Sequence, residues 1–279
     1  MKSLLKEAGI KSYYTLVNAG DRNKYEMVSD FPSSQFNHII ICAEAGKDTM
    51  WLECTNQDLP AGYLGGFTGG RDVLLVDDQG GHLAHTPEYT KADNIIRRSI
   101  EGNISESGKL DVQVTTAYQA EMFDDVFMGW KHTAPDRWEE ELRESIHLAA
   151  VQLSGLSYQE EKKSLPLITE TYRLQADNYA SLTGKRMFIT PNVLSRGGQK
   201  MDAAYARKLP IQVHQAYQQT DTIRLTIPAG YSIESGMDAV KLQSTFGSYE
   251  RKLQLQGTQL ILIRTYTQQN GLFEAKTYA

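Results

Sequence analysis

The sequence predicts an α+β chain, mainly β, in two domains. Three observations carry this. Strand-like runs bounded by turn clusters recur along most of the chain. Helical periodicity of apolar residues is confined to a few short segments. The 279 residues are long for one compact core, taking roughly 100–200 residues per domain. The first domain is expected over residues 1–90. The second is expected over 91–279 as a β-sandwich-like region with an inserted helical pair near 119–131 and 134–147.

Each element has its own signal. Leu4, Leu5 and Ala8 give a partial apolar stripe, and Gly9 stands where a helix C-terminus wants a left-handed residue. Strand-like runs follow at Ser12–Val17, Phe36–Ala43, Thr49–Cys54 and Val73–Asp77. Asn94–Ile104 and Lys109–Tyr118 predict two strands joined by the polar turn Ser105–Gly108. Phe123, Val126, Phe127 and Trp130 mark one helical face, and Trp138, Leu142 and Ile146 mark the next. Thr133 is a candidate cap before Pro135. The remainder is strand-rich, at Ile211–Ala216, Thr222–Ile227, Tyr231–Glu234 and Leu260–Tyr266.

Composition narrows the function classes. Lys and Arg total 29 against 34 Asp and Glu, a net charge of −5, with no basic tract, which argues against nucleic-acid binding by phosphate neutralisation. No apolar run approaches the roughly 18 residues of a membrane helix. Lys6 and Glu7 fall where a signal peptide needs an apolar stretch. Two cysteines exclude a disulfide scaffold. No cofactor is implied, and the oligomeric state is left open.

The segment Phe36–Thr55 carries the most chemistry. If its hairpin loop is centred between Ala45 and Gly46, paired residues sum to 91 and His38 lies opposite Glu53. Opposed side chains share a face with Cβ atoms about 4.5–5.5 Å apart, so imidazole and carboxylate can touch. Such a pair is the base and orienter of a catalytic triad, in which the acid fixes the tautomer and the free nitrogen takes a proton from a thiol or hydroxyl. The same pair also occurs as a purely structural contact. Cys42 and Cys54 read as small buried residues on opposite faces, unsuited to a mutual disulfide.

Several short elements recur in a known order: Leu4–Ile10, Tyr13–Asn18, Phe36-Asn37-His38, Trp51-Leu52-Glu53-Cys54-Thr55 and Pro60–Leu64. In these, Lys2–Thr86 resembles the C-terminal part of a transglutaminase-like domain, a papain-like cysteine-enzyme fold. The resemblance implies that His38 is the catalytic histidine and Glu53 the triad acid. It places the nucleophilic cysteine upstream of the Leu4–Ile10 helix end, so the chain is expected to be inactive alone. From about Lys91 the chain resembles the β-rich domain of unknown function that follows such cores, through Tyr172–Arg196 and Phe246–Tyr249. The resemblance implies an exported, periplasmic or cell-surface parent acting on a protein or peptide by amide hydrolysis or acyl transfer. The alternative is a non-catalytic module binding a protein or glycan partner, consistent with the 15 tyrosines.

Other signals are weaker. His82 and His85 near Asp77 and Asp78 suggest a Gly80-Gly81 turn with solvated imidazoles more than a metal site. Gly62, Gly65, Gly66, Gly69 and Gly70 predict a flexible loop bordering the cleft; no Lys-Ser/Thr pair follows, so it is not a phosphate loop. Trp130 and Trp138 are expected to pack, and Glu139, Glu140 and Glu141 to face solvent.

Overall fold

The computed structural model describes residues 1–20, 27–31, 33–195 and 208–278. The chain opens with helix α1 (Lys2–Glu7). It stops where Gly9 adopts φ +75°, letting Gly9 N donate to Lys6 O at 3.0 Å and Ile10 N to Leu5 O at 2.8 Å. Strands β1 (Ser12–Val17), β2 (His38–Ala45) and β3 (Asp48–Leu52) follow, then the one-turn helix α2 (Gly65–Thr68), then β4 (Asp72–Asp77) and β5 (Gly80–His85). The five strands form an antiparallel sheet in the order β3-β2-β1-β4-β5. Alternation sends Val17, Ile40, Cys42, Trp51 and Val73 to one face, where they pack with Leu64. Tyr14, Ile39, Met50 and Leu83 remain exposed.

The second region begins with β6 (Ile95–Ile104) and β7 (Leu110–Gln119), then α3 (Glu121–His132) and α4 (Pro135–Ser145). Strands β8 (Val151–Glu161) and β9 (Leu167–Ala176) precede a small hairpin, β10 (Ser181–Thr183) and β11 (Arg186–Phe188). Then come β12 (Ile211–Val213), β13 (Tyr217–Thr226), β14 (Val240–Ser244), β15 (Gly247–Gln256), β16 (Gln259–Gln268) and β17 (Gly271–Phe273). An eight-stranded sheet runs β14-β15-β16-β13-β6-β7-β9-β8, antiparallel except where β13 pairs with β6. The α+β, mainly β class expected from the sequence is the observed one.

One face of the large sheet is polar, with Arg173 on Asp111 at 2.6 Å and Arg224 on Glu101 at 3.0 Å. The other carries Ile100, Leu110, Val112, Tyr172, Leu174, Ile223 and Leu262. One polar face and one apolar face is what an antiparallel sheet covered on one side requires. The cover is made of short pieces: Ile146 after α4, Ala180, Met187, Val193, and Tyr231 with Ile233. Tyr231–Glu234, expected as a strand, is irregular, and Ile211–Ala216 shortens to β12, which pairs with β17 apart from the main sheet. Thr133 closes α3 instead of capping α4, which starts from Ala134 with Pro135 in its first turn.

A single register line crosses the large sheet as Tyr158, Glu170, Thr116, Arg98, Asp221 and Arg264. The buried Asp221 carboxylate accepts from Arg264, from Ser195 Oγ at 2.8 Å and from Gln219 Nε2 at 3.0 Å. Glu170 accepts from Tyr158 Oη at 2.6 Å, and Trp138 Nε1 donates to the same tyrosine at 2.9 Å. Trp130 stacks on Tyr158 with centroids 5.4 Å apart. Both tryptophans therefore fasten the helical pair to the sheet. Phe123 and Phe127, stacked at 4.6 Å and fully buried, add about 1.5–3 kcal/mol each by burial. At the junction of the two sheets, Tyr63 and Tyr89 pack with Ala120.

Candidate functional site

The site lies where β2 begins and β3 ends. The turn between them has two central residues, Gly46 and Lys47, with φ +69° at Gly46, so paired residues sum to 93. The register expected from the sequence is two residues off. A shift of two preserves the face, whereas a shift of one would have separated the pair. Glu53 follows β3 directly and lies diagonal to His38, a span that long side chains bridge. His38 Nε2 sits 2.9 Å from Glu53 Oε2 and 3.1 Å from Oε1. The imidazole is 16% exposed and the carboxylate 4%.

Neighbours fix both groups. Glu53 Oε1 also accepts from Thr55 N at 2.9 Å and Thr55 Oγ1 at 2.7 Å. Asn37 accepts from Ala19 N at 2.7 Å and donates to Ala19 O at 3.0 Å, so its amide extends the β1–β2 ladder beyond Val17. The Phe67 ring stands edge-on to the imidazole with centroids 5.3 Å apart. His38 borders an open groove of about 670 Å³ with Ser33, Ser34, Phe36 and Thr55. A carboxylate on Nε2 leaves Nδ1 as the nitrogen with a lone pair, and among the described residues no hydrogen bond engages it.

Neither cysteine completes a thiol–imidazole couple. Cys42 is buried in mid-strand, four positions from His38, roughly 13 Å at the strand rise. Burial pushes its thiol pKa up. Cys54 donates to Leu52 O at 3.6 Å, and burial followed by the Glu53 charge raises it too. Both therefore stay protonated near neutrality, the opposite of an activated nucleophile.

The glycine-rich segment is not a loose loop. It contains α2, and the Arg71 guanidinium donates to Gly66 O at 2.9 Å, to Asn18 O at 2.5 Å and to Gly20 O. His82 pairs with Asp77 at 3.2 Å and His85 with Asp72 at 2.8 Å, both across the β4–β5 ladder, where Gly81 lies inside β5. Among the described residues, no group of three or more His, Cys, Asp or Glu could hold a metal, and no helix is long and apolar enough to cross a membrane. Phe67, Asn37 and Arg71 are site residues that sequence reasoning did not single out. Asn37 lies within the run Phe36-Asn37-His38 and Thr55 within Trp51–Thr55, whereas Phe67 has no signal beyond the glycines around it.

Residues 185–279 match a family described as a domain of unknown function with a solved structure, DUF3858. The matched part supplies β13 to β16, half of the eight-stranded sheet. No curated protein matches the chain. A crystal structure described as "a putative protease from Parabacteroides distasonis" is similar at a TM-score of 0.45 and 11% identity, over 99% of this chain and 38% of that one. The present chain thus spans under two fifths of that protein's length.

Proposed function

We propose that the chain carries the base and orienter of a transglutaminase-like, cysteine-dependent acyl-transfer centre, with its thiol supplied from outside residues 1–279. The observation that carries this is the buried Glu53 carboxylate, held by Thr55, on Nε2 of His38. Glu53 keeps the imidazole proton on Nε2, so Nδ1 accepts the thiol proton. The thiolate attacks an amide carbonyl, and Nδ1–H returns the proton to the departing amine. Water or an amine, deprotonated by the same nitrogen, then opens the thioester. With Cys42 and Cys54 buried or protonated, residues 1–279 alone turn nothing over.

The test is an amidase and transamidase assay of residues 1–279 beside a form extended upstream to include a helix-start cysteine. Turnover is expected in the extended form alone and is abolished by His38→Ala. Turnover by the shorter chain, or turnover insensitive to His38, contradicts the proposal.

A second reading, a binding module, draws on a cavity of about 350 Å³ under the β10–β11 hairpin. Met187, Ile189, Tyr231 and Leu253 line it, and Arg186 meets Glu234 at its mouth at 3.1 Å. Binding of a protein or glycan that tolerates His38→Ala and fails when this cavity is filled by Leu253→Trp would favour that reading.

A further inference from the structure

We propose that Asp124, on α3 beside the large sheet, is a positioning residue for His38, acting through α2. This deepens the acyl-transfer reading and rests on it. A single helical turn has no stability of its own, and the Leu64 cap position offers α2 no side-chain acceptor. Asp124 supplies the acceptor from the other sheet's side. Its Oδ2 accepts from Gly66 N at 3.0 Å and its Oδ1 from Tyr63 Oη at 2.7 Å, so both oxygens are committed and the carboxylate cannot rotate freely. Gly65 permits the approach. It sits at φ +59°, and a Cβ there would press into the Asp124 carboxylate.

The far side of α2 is tied to the site. Gly20 N donates to Phe67 O at 3.0 Å, and Arg71 joins Gly66 O to Asn18 O. Phe67 is 50% exposed, so apolar burial does little to hold it beside His38. Its place is set by the α2 backbone, which Asp124 holds from one side and Gly20 and Arg71 from the other. The chain of contacts therefore runs from α3 through Gly66 and Phe67 to the imidazole. It gives the β-rich region a part in the site without lending it any reacting group.

The test uses the whole chain and reads His38 itself. In Asp124→Asn two charge-assisted acceptances become one neutral amide acceptance and a reversed Nδ2–H donation to Tyr63 Oη, so the hold on Gly66 N weakens. The His38 ring-proton resonances, which feel the Phe67 ring, are expected to move in the direction produced by Phe67→Leu. In Tyr63→Phe, which deletes one of the two contacts and serves if Asp124→Asn does not fold, the same displacement is expected at smaller size. A folded variant of either kind with lower stability but His38 resonances superimposed on wild type overturns the proposal. So does Phe67→Leu leaving them unmoved. Glu53→Ala, which removes the acceptor on Nε2, separates this from the parent reading: if it leaves the His38 tautomer unchanged, the base assignment fails, while the Asp124 result stands or falls on the Phe67 contact alone.

Discussion

Thr55 shows how much a single side chain does at this site. Its hydroxyl and its N–H both donate to Glu53 Oε1, the carboxylate oxygen slightly farther from His38, so one residue anchors the acid that holds the imidazole. Thr55→Val keeps the N–H and removes the hydroxyl, leaving a charged acceptor short of one bond. Urea unfolding should report a loss of about 1–2 kcal/mol. In an active extended form, Glu53→Ala should lower kcat by about 10³–10⁴-fold, as expected when an orienting carboxylate is removed from a triad. The His–Glu pairing was legible in the sequence because face assignment depends only on the parity of the register. Phe67 and Asp124 were not, since they approach the imidazole from segments that no local pattern links to it.

At the scale of the element, the β2–β3 turn decides whether the site exists. The run Glu44-Ala45-Gly46-Lys47 admits more than one loop centre. The left-handed backbone at Gly46 selects a two-residue turn, which symmetry of the polar cluster could not reveal. A Cβ at Gly46 would meet nothing within 4 Å, so Gly46→Ala isolates backbone strain. It should cost about 1 kcal/mol in thermal unfolding, with Gly46→Asn milder because Asn tolerates this conformation. Gly129 is the contrasting case. A Cβ there would collide with the Trp138 ring between α3 and α4, so Gly129→Ala should destabilise by about 1–3 kcal/mol through overpacking. The helices themselves were readable from their apolar stripes. The large sheet's cover was not, because Tyr231 and Ile233 pack inward from irregular backbone with no strand period to follow.

For the whole molecule, the buried acids set the response to pH. Burial pushes Asp124 up to about 6, against the lowering effect of its Gly66 and Tyr63 donors, and burial raises Glu170 as well. An unfolded Asp titrates near ~3.9, so between about 6 and 4 the folded chain holds the extra proton. The contribution of Asp124 to stability therefore rises as pH falls through that window and is constant above it. Unfolding measured from pH 7 to 4.5 should show this rise in wild type and a flatter profile in Asp124→Asn. Asp221 tests the large sheet. Removing its carboxylate leaves the largely buried Arg264 and Arg98 without their partner, and Asp221→Ala should cost about 3–5 kcal/mol. The strand-rich character of the chain was plain from its turn-bounded runs. The crossing row of charges was not, because it comes from the parallel pairing of β6 with β13, segments more than a hundred residues apart.

In the proposed centre, Glu53 holds Nε2 of His38 and leaves Nδ1 to take a proton. Imidazole ¹⁵N spectra of the intact chain test it most directly. A single Nε2–H tautomer is expected for neutral His38, giving way to a mixture in Glu53→Ala. A wild-type His38 protonated on Nδ1, or a tautomer indifferent to Glu53, would contradict it.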